Sequence, residues 1–337
     1  MPEHVSSRYN LIIQHPHDVY NGIVANTFSG AIVGTDEELM KTFTMLDKAA
    51  AVHRLESENP DMFSYLVKNG FLVENCLDEI ARVRIRFQAA KFVDRFLHLT
   101  ICPTIDCNLA CQYCYQASRP EKMSVERLED LKQFVSAQAS HLSSFGVTWY
   151  GGEPLLELGA IVDLSRHFIN LCKERNIPYS ANIITNGTLI NENTVNALTK
   201  AKITTAQITL DGPPDVHNAR RCFKSGESDS FGPIVAGIRF CQGYIPVNIR
   251  INIDNSNVAY YQDLVRFLLS ERLLGPDSGN GVALGLVKQW TPEVGLAEDA
   301  LLSLEAFRSF LAETCLCVFL QESLPSPNYT SRNPVFV

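Results

Sequence analysis

Three cysteines, Cys107, Cys111 and Cys114, stand within eight residues in the stretch CPTIDCNLACQYCY, which runs from Cys102 to Tyr115. Three residues separate the first pair and two the second, so one short loop can turn all three sulfurs toward one point. Such a trio is a metal site with one position left over. Zinc sites usually close with a fourth protein ligand, drawn from a second Cys pair or a His pair at set spacing. Here the eight histidines are scattered, and no second paired-Cys motif answers the first. A cubane iron–sulfur cluster held by three thiolates would instead leave one iron open to a substrate or cofactor.

Other residues capable of chemistry fall downstream at regular intervals. In WYGGEPLL, Gly151 and Gly152 would let a ligand reach the backbone, and Glu153 offers an acceptor for an ammonium group. Read alone, a tight strand-to-loop turn explains the glycine pair better. ITNGTLI brings Thr185 and Asn186, and ITLDGPPDVHNARR brings Asp211, Arg220 and Arg221. Asp211 reads as a turn residue ahead of Gly212-Pro213-Pro214, and the two arginines could equally form a surface ion pair.

These motifs need a frame that gathers them. From Leu97 the pattern alternates strand and helix: strands at Leu97–Pro103, Val147–Tyr150, Ala181–Thr185, Ala206–Leu210, Val247–Ile253 and Val282–Val287, each with a helical segment after it. Ser124 would cap the first helix. Six such units imply an α/β fold with a parallel sheet and right-handed crossovers, a partial (β/α)6 TIM-like barrel. Parallel barrels collect their chemistry in the loops after the strands. The cysteine loop, Gly151-Gly152, Thr185-Asn186, Asp211 and Asn252 with Asp254 all fall at that rim.

Residues 1–90 read as a small α+β domain. Two short strands lie between Tyr20 and Val33, Thr35 and Glu38 form a capping box, a second short helix ends at Asn69-Gly70, and Leu77–Phe96 is a helical connector. Residues 91–290 form the barrel, and 291–337 a C-terminal helix and tail. With 46% hydrophobic residues, the chain can bury a large core. A net charge of −8 argues against a nucleic-acid partner, and the basic cluster Arg82–Arg86 reads as a solvated face. The start lacks a secretory pattern and no apolar run is long enough to cross a bilayer, so a cytoplasmic location is expected, with ten reduced cysteines.

Cys107-x3-Cys111-x2-Cys114, with Tyr113 before the last Cys, resembles the signature of the radical S-adenosylmethionine (SAM) superfamily. The segments at Thr185 and Asp211 are similar to those of its peptide- and protein-modifying branch, which includes the anaerobic sulfatase maturases and the SPASM-type peptide maturases. The resemblance implies a [4Fe-4S] cluster on the three cysteines and SAM as second cofactor. It implies SAM contacts from Tyr113, Gly151, Gly152, Glu153, Thr185 and Asn186. Arg221 matches the arginine facing the SAM carboxylate, with Arg220 an alternative; a guanidinium holds a carboxylate through two parallel bonds. Reductive cleavage of SAM and abstraction of a substrate hydrogen atom would follow. No residue is assigned as acid, base or radical relay. The resemblance further implies a peptide or protein substrate, which the first domain would dock unless it merely caps the barrel, and an electron donor such as flavodoxin or ferredoxin. A small-molecule or RNA substrate, or a degenerate non-enzymatic cluster-binding relative, are the alternatives. Relatives in this branch often add a Cys-rich C-terminal domain. Cys315 and Cys317 read instead as buried helix residues, so that domain is expected to be absent. Cys76, Cys102, Cys172, Cys222 and Cys241 read mostly as core or neutral.

Overall fold

The computed structural model describes residues 3–14, 22–46, 48–92, 95–116, 118–275, 277–288, 300–307 and 309–311. Cys315 and Cys317 lie outside these residues, as does most of the expected C-terminal segment. The chain divides into two compact units, one of the residues up to Phe92 with those from Glu305 onward, the other Val93–Leu304. No helix among the described residues is long and apolar enough to cross a membrane.

The first unit comprises β1 (His4–Ser6), β2 (Asn10–Gln14), β3 (Gly22–Asn26), β4 (Ile32–Thr35), α1 (Glu37–Met45), α2 (Ala49–Glu58), α3 (Pro60–Lys68), β5 (Leu72–Glu74) and α4 (Glu79–Phe92). Strands β2, β3 and β4 form an antiparallel sheet, and β1 pairs with β5. Val24, Phe43, Leu46, Leu66 and Phe71 make its core. Two expectations are corrected here. Asp36, not Thr35, caps α1, its carboxylate accepting from the Leu39 N–H at 2.7 Å. Thr35 stays in β4 and sends its hydroxyl across the sheet to the Gly22 carbonyl at 2.9 Å. Three helices also follow β4 before β5 where two were expected. Gly70, with φ +80°, closes α3 in the left-handed region as its sequence implied. The basic cluster lies exposed on α4, with Arg82 and Arg86 over the Phe28 ring.

The second unit carries β6 (Phe96–Ile101), α5 (Val125–Gln138), β7 (Ser144–Trp149), a 3-10 turn (Pro154–Glu157), α6 (Leu158–Arg175), β8 (Tyr179–Thr185), α7 (Glu192–Lys200), β9 (Ile203–Thr209), α8 (Pro214–Arg220), α9 (Phe231–Cys241), β10 (Val247–Ile253), α10 (Tyr261–Ser270) and β11 (Gly281–Leu286). The six strands pair in sequence order, all parallel. This is the partial barrel that the alternation implied. Ser124 caps α5 as expected, accepting from the Arg127 N–H.

Parallel strands covered on both faces read as continuous apolar runs, and these do not. In β10, Val247, Ile249, Ile251 and Ile253 are buried, while Asn248, Arg250 and Asn252 alternate with them. In β7, Phe145, Val147 and Trp149 are buried on the helix side, where Phe145 meets Phe168 of α6 edge to face at 5.1 Å. Helices therefore cover one face with an apolar layer, and the polar alternates belong to the other. Truncating Phe168 to Ala would cost about 3–5 kcal/mol by the usual cavity penalty.

Candidate functional site

The cysteine loop follows β6 and is held from within and by two other segments of the second unit. Beneath it, the Cys107 N–H donates to Asp106 Oδ1 at 2.8 Å, and Lys224 Nζ donates to the same oxygen at 3.0 Å. Beside it runs the segment after α8: the Ala110 N–H donates to the Cys222 carbonyl and the Gln112 N–H to the Arg220 carbonyl, with a bridge from Leu109 to Phe223. The loop that carries the thiols is thus stitched to the segment that carries Arg221.

The third contact explains the glycine pair. A Cβ on Gly151 would stand 2.3 Å from the Thr104 carbonyl oxygen, and one on Gly152 2.0 Å from that of Asp106. Gly151 also has φ +130°, which side chains rarely adopt. What comes close to these glycines is the cysteine loop itself, bonded through Gly152 N–H to Thr104 O and Glu153 N–H to Asp106 O.

Cys107, Cys111 and Cys114 line one cavity of about 650 Å³, together with Tyr113, Gly151, Gly152, Thr185, Asn186 and Arg221. The cavity therefore brings together all the expected site residues except Glu153. Glu153 is fully buried behind the wall, where its carboxylate accepts from Thr185 Oγ1 at 2.6 Å, the Asn186 N–H at 2.7 Å and the Leu155 N–H at 3.0 Å. Burial raises its pKa against the pull of these three donors. With both oxygens engaged, Glu153 is not placed to receive an ammonium group in the cavity; it fixes the rim residues Thr185 and Asn186. Asn186 in turn points Nδ2 at Cys107 Sγ, 3.7 Å away, and at Asn108 Oδ1, 2.8 Å away.

Tyr113 anchors the opposite wall. Its hydroxyl donates to Asp211 Oδ2 and accepts from Arg221 Nη1 at 2.6 Å and Asn252 Nδ2 at 3.2 Å. Burial pushes the phenol well above its ordinary pKa despite the nearby Arg221, so it is a neutral donor. Asp211 is 1% exposed and also accepts the Asn252 N–H at 2.8 Å. That corrects its reading as a turn residue: it is the buried acceptor on which Tyr113 and the end of β10 are hung. Its own N–H donates to His217 Nδ1 at 3.1 Å. This bond puts the proton of the neutral imidazole on Nε2, and burial first, then the two arginines, hold its pKa well below the usual value.

The two arginines separate cleanly. Arg220 is consumed by Asp254, with Nη1 at 2.7 and 2.8 Å from its two oxygens, and both side chains are buried. Arg221 lines the cavity, as Arg220 does not, and the buried Nε of each has no hydrogen-bond partner among the described residues. A buried, incompletely satisfied guanidinium beside the thiols is built to receive an anion.

The donor set also bears on the metal. The described lining of the cavity offers three thiols and no fourth Cys or His beside them, a donor set that fits a cubane cluster held by three thiolates with one iron left open. Burial pushes the Cys111 thiol up to about 11, with Arg221 pulling the other way. Of the remaining described cysteines, Cys172 and Cys241 are buried, Cys102 and Cys222 half-buried, and Cys76 exposed.

A parallel partial barrel with a tri-cysteine loop after its first strand defines a class, and the family comparison agrees: the chain carries a radical SAM domain, the superfamily's model matching residues 101–268. The cysteine-type anaerobic sulfatase-maturating enzyme of Clostridium novyi is 30% identical over 172 residues, 48% of this chain and 44% of that protein. The sporulation killing factor maturation protein SkfB of Bacillus subtilis is 28% identical over 165 residues, 47% of this chain and 36% of that one. Native anSMEcpe with bound AdoMet and Cp18Cys peptide shares the fold at a TM-score of 0.55 and 21% identity, over 67% of this chain and 61% of that chain. The chain thus spans less than two thirds of the length of each of these proteins.

Proposed function

We propose that the chain is a radical SAM enzyme acting on a peptide or protein. The observation that carries this is the single cavity wall shared by Cys107, Cys111, Cys114 and Arg221. The three thiolates would hold a [4Fe-4S] cluster. Arg221 would take the SAM carboxylate, since Arg220 is committed to Asp254. The ammonium contact, closed to Glu153, falls to the backbone at Gly151 and Gly152, with Thr185 and Asn186 completing the SAM wall and Tyr113 holding Arg221 in place. When bound, the pair supplies reductive SAM cleavage and abstraction of a hydrogen atom from the substrate.

The chain's own residues do the positioning. Glu153 fixes one rim and Asp211 the other, so that cofactor groups meet donors already held in place. The named maturation roles of the sulfatase-maturating enzyme and SkfB support a peptide or protein substrate. The first unit is read as its docking module, the electron donor as a flavodoxin or ferredoxin, and the location as cytoplasmic. Anaerobic reconstitution followed by SAM and a strong reductant tests the reading. 5′-Deoxyadenosine is expected, and its absence from protein carrying a full iron and sulfide load would overturn it.

A further inference from the structure

The chain carries a net charge of −8, yet the described lining of its cavity includes Arg221, Arg250 and Lys288 and no Asp or Glu. SAM brings one carboxylate, assigned above to Arg221. Arg250 is then a second cation with no anion to meet.

Its placement is specific. Arg250 sits in β10, level with Thr209 of β9 and Ala283 of β11, on the polar alternate face. Its guanidinium lies over Gly285 of β11, where an added Cβ would stand 1.7 Å from Nη2. Only glycine leaves that space. Nε donates to Asn252 Oδ1 at 3.1 Å, which fixes the plane of the fork. Among the described residues this is the only hydrogen bond of the side chain, and it makes no ion pair. Gln207, Thr209 and Asn252 line the cavity around it, offering polar but uncharged neighbours.

Comparison with Arg220 makes the point. Both are arginines of the second unit, but Arg220 holds the Asp254 carboxylate through two contacts, whereas Arg250 has no carboxylate in contact among the described residues. Burial lowers the pKa of Arg250, with Asp211 opposing from a distance, as for a cation withdrawn from water without a counter-ion in contact. A fixed fork with its Nη groups left over matches a planar carboxylate through two parallel bonds.

We propose that Arg250, seated on Gly285 and oriented by Asn252, is an anion subsite for a carboxylate of the substrate peptide. The assignment rests on the radical SAM reading, because it takes the SAM carboxylate to be held by Arg221. An acidic side chain is the source favoured, since a cavity lined from several strands suits an internal segment; a free C-terminus offers the same chemistry.

Equilibrium binding to the full chain tests the proposal, with 5′-deoxyadenosine formation assayed separately. Three pools of short random peptides serve as probes: Glu-centred and amidated, Gln-centred and amidated, and Gln-centred with a free C-terminus. The Glu pool is expected to be retained about tenfold better than the amidated Gln pool, in line with a hydrogen bond to a charged partner. Arg250→Gln should remove that preference and Arg250→Lys should keep part of it, which separates loss of charge from loss of fold. Preference for the free C-terminus alone would support the seat and move its source to the chain end. Equal retention of all three pools would overturn the proposal. So would weakened SAM affinity in Arg250→Gln with the peptide preference intact, because the carboxylate at Arg250 would then be the cofactor's. Selective retention by a chain that never cleaves SAM would support the seat while removing the reaction.

Discussion

The Tyr113 hydroxyl donates to the Asp211 carboxylate across 98 residues of sequence, in the buried wall of the cavity. The same oxygen accepts from Arg221, so an acid, a phenol and a guanidinium form a chain from the end of β9 to the cavity. Networks of this kind hold a charged group in one orientation, and in a low-dielectric site that orientation is worth more than in water.

Tyr113→Phe keeps the ring and removes the link. Arg221 should lose its fixed direction, and SAM should bind about tenfold more weakly, the value of one charge-assisted hydrogen bond. Iron content and cluster absorbance should be retained. Titration of SAM into the reconstituted variant checks this, and unchanged affinity would make the phenol a packing residue.

The adjacent arginines should respond differently. Arg221→Gln should weaken SAM binding by ten- to about a hundredfold with little change in melting temperature. Arg220→Gln leaves Asp254 buried without its partner, at a cost of about 3–5 kcal/mol. Thermal denaturation and SAM binding, measured on both variants, would contradict the assignment if the two effects were exchanged.

Glycine substitutions give a paired comparison. Gly152→Ala drives a Cβ to 2.0 Å from backbone oxygen, so the cysteine loop must shift and iron loading should fall. Gly159, near the start of α6, has open space around its Cβ position, and Ala there should stabilise by up to about 1 kcal/mol. Iron analysis and melting curves report the two outcomes.

His217 imposes a pH dependence. Its pKa in the folded chain is held well below the ordinary 6.5, by burial first and then by Arg221 and Arg220, so the unfolded chain takes up the proton earlier as pH falls. Stability contributed by this group is present above 6.5 and is lost progressively as pH falls below it. His217→Gln should flatten that part of the stability curve in denaturant titrations. An unaltered slope would show that another group sets it.

Local patterns in the sequence were enough for much of this. The cysteine spacing, the alternation from Leu97 onward and the rim positions of Gly151, Thr185 and Asn252 are short-range signals, and the fold keeps them. Roles set by long-range contacts were hidden. Asp211 looks like a turn residue until β10 and Tyr113 are brought to it, and Glu153 looks available until Thr185 and Asn186 close over it. In sequence Arg250 is one polar alternate in the apolar run of β10, a signal that names a face and not a partner. The cap of α1 falls one residue beyond the Thr35 that the sequence suggests, because Thr35 and Asp36 are both good caps and the end of β4 decides between them.

Electron paramagnetic resonance of the reconstituted, reduced protein, recorded before and after addition of SAM, tests the central claim most directly. A [4Fe-4S] signal that changes on SAM addition is expected from the native chain, and no such signal from the variant with Ala at 107, 111 and 114. A native signal indifferent to SAM, or a full signal from the triple variant, would contradict the account.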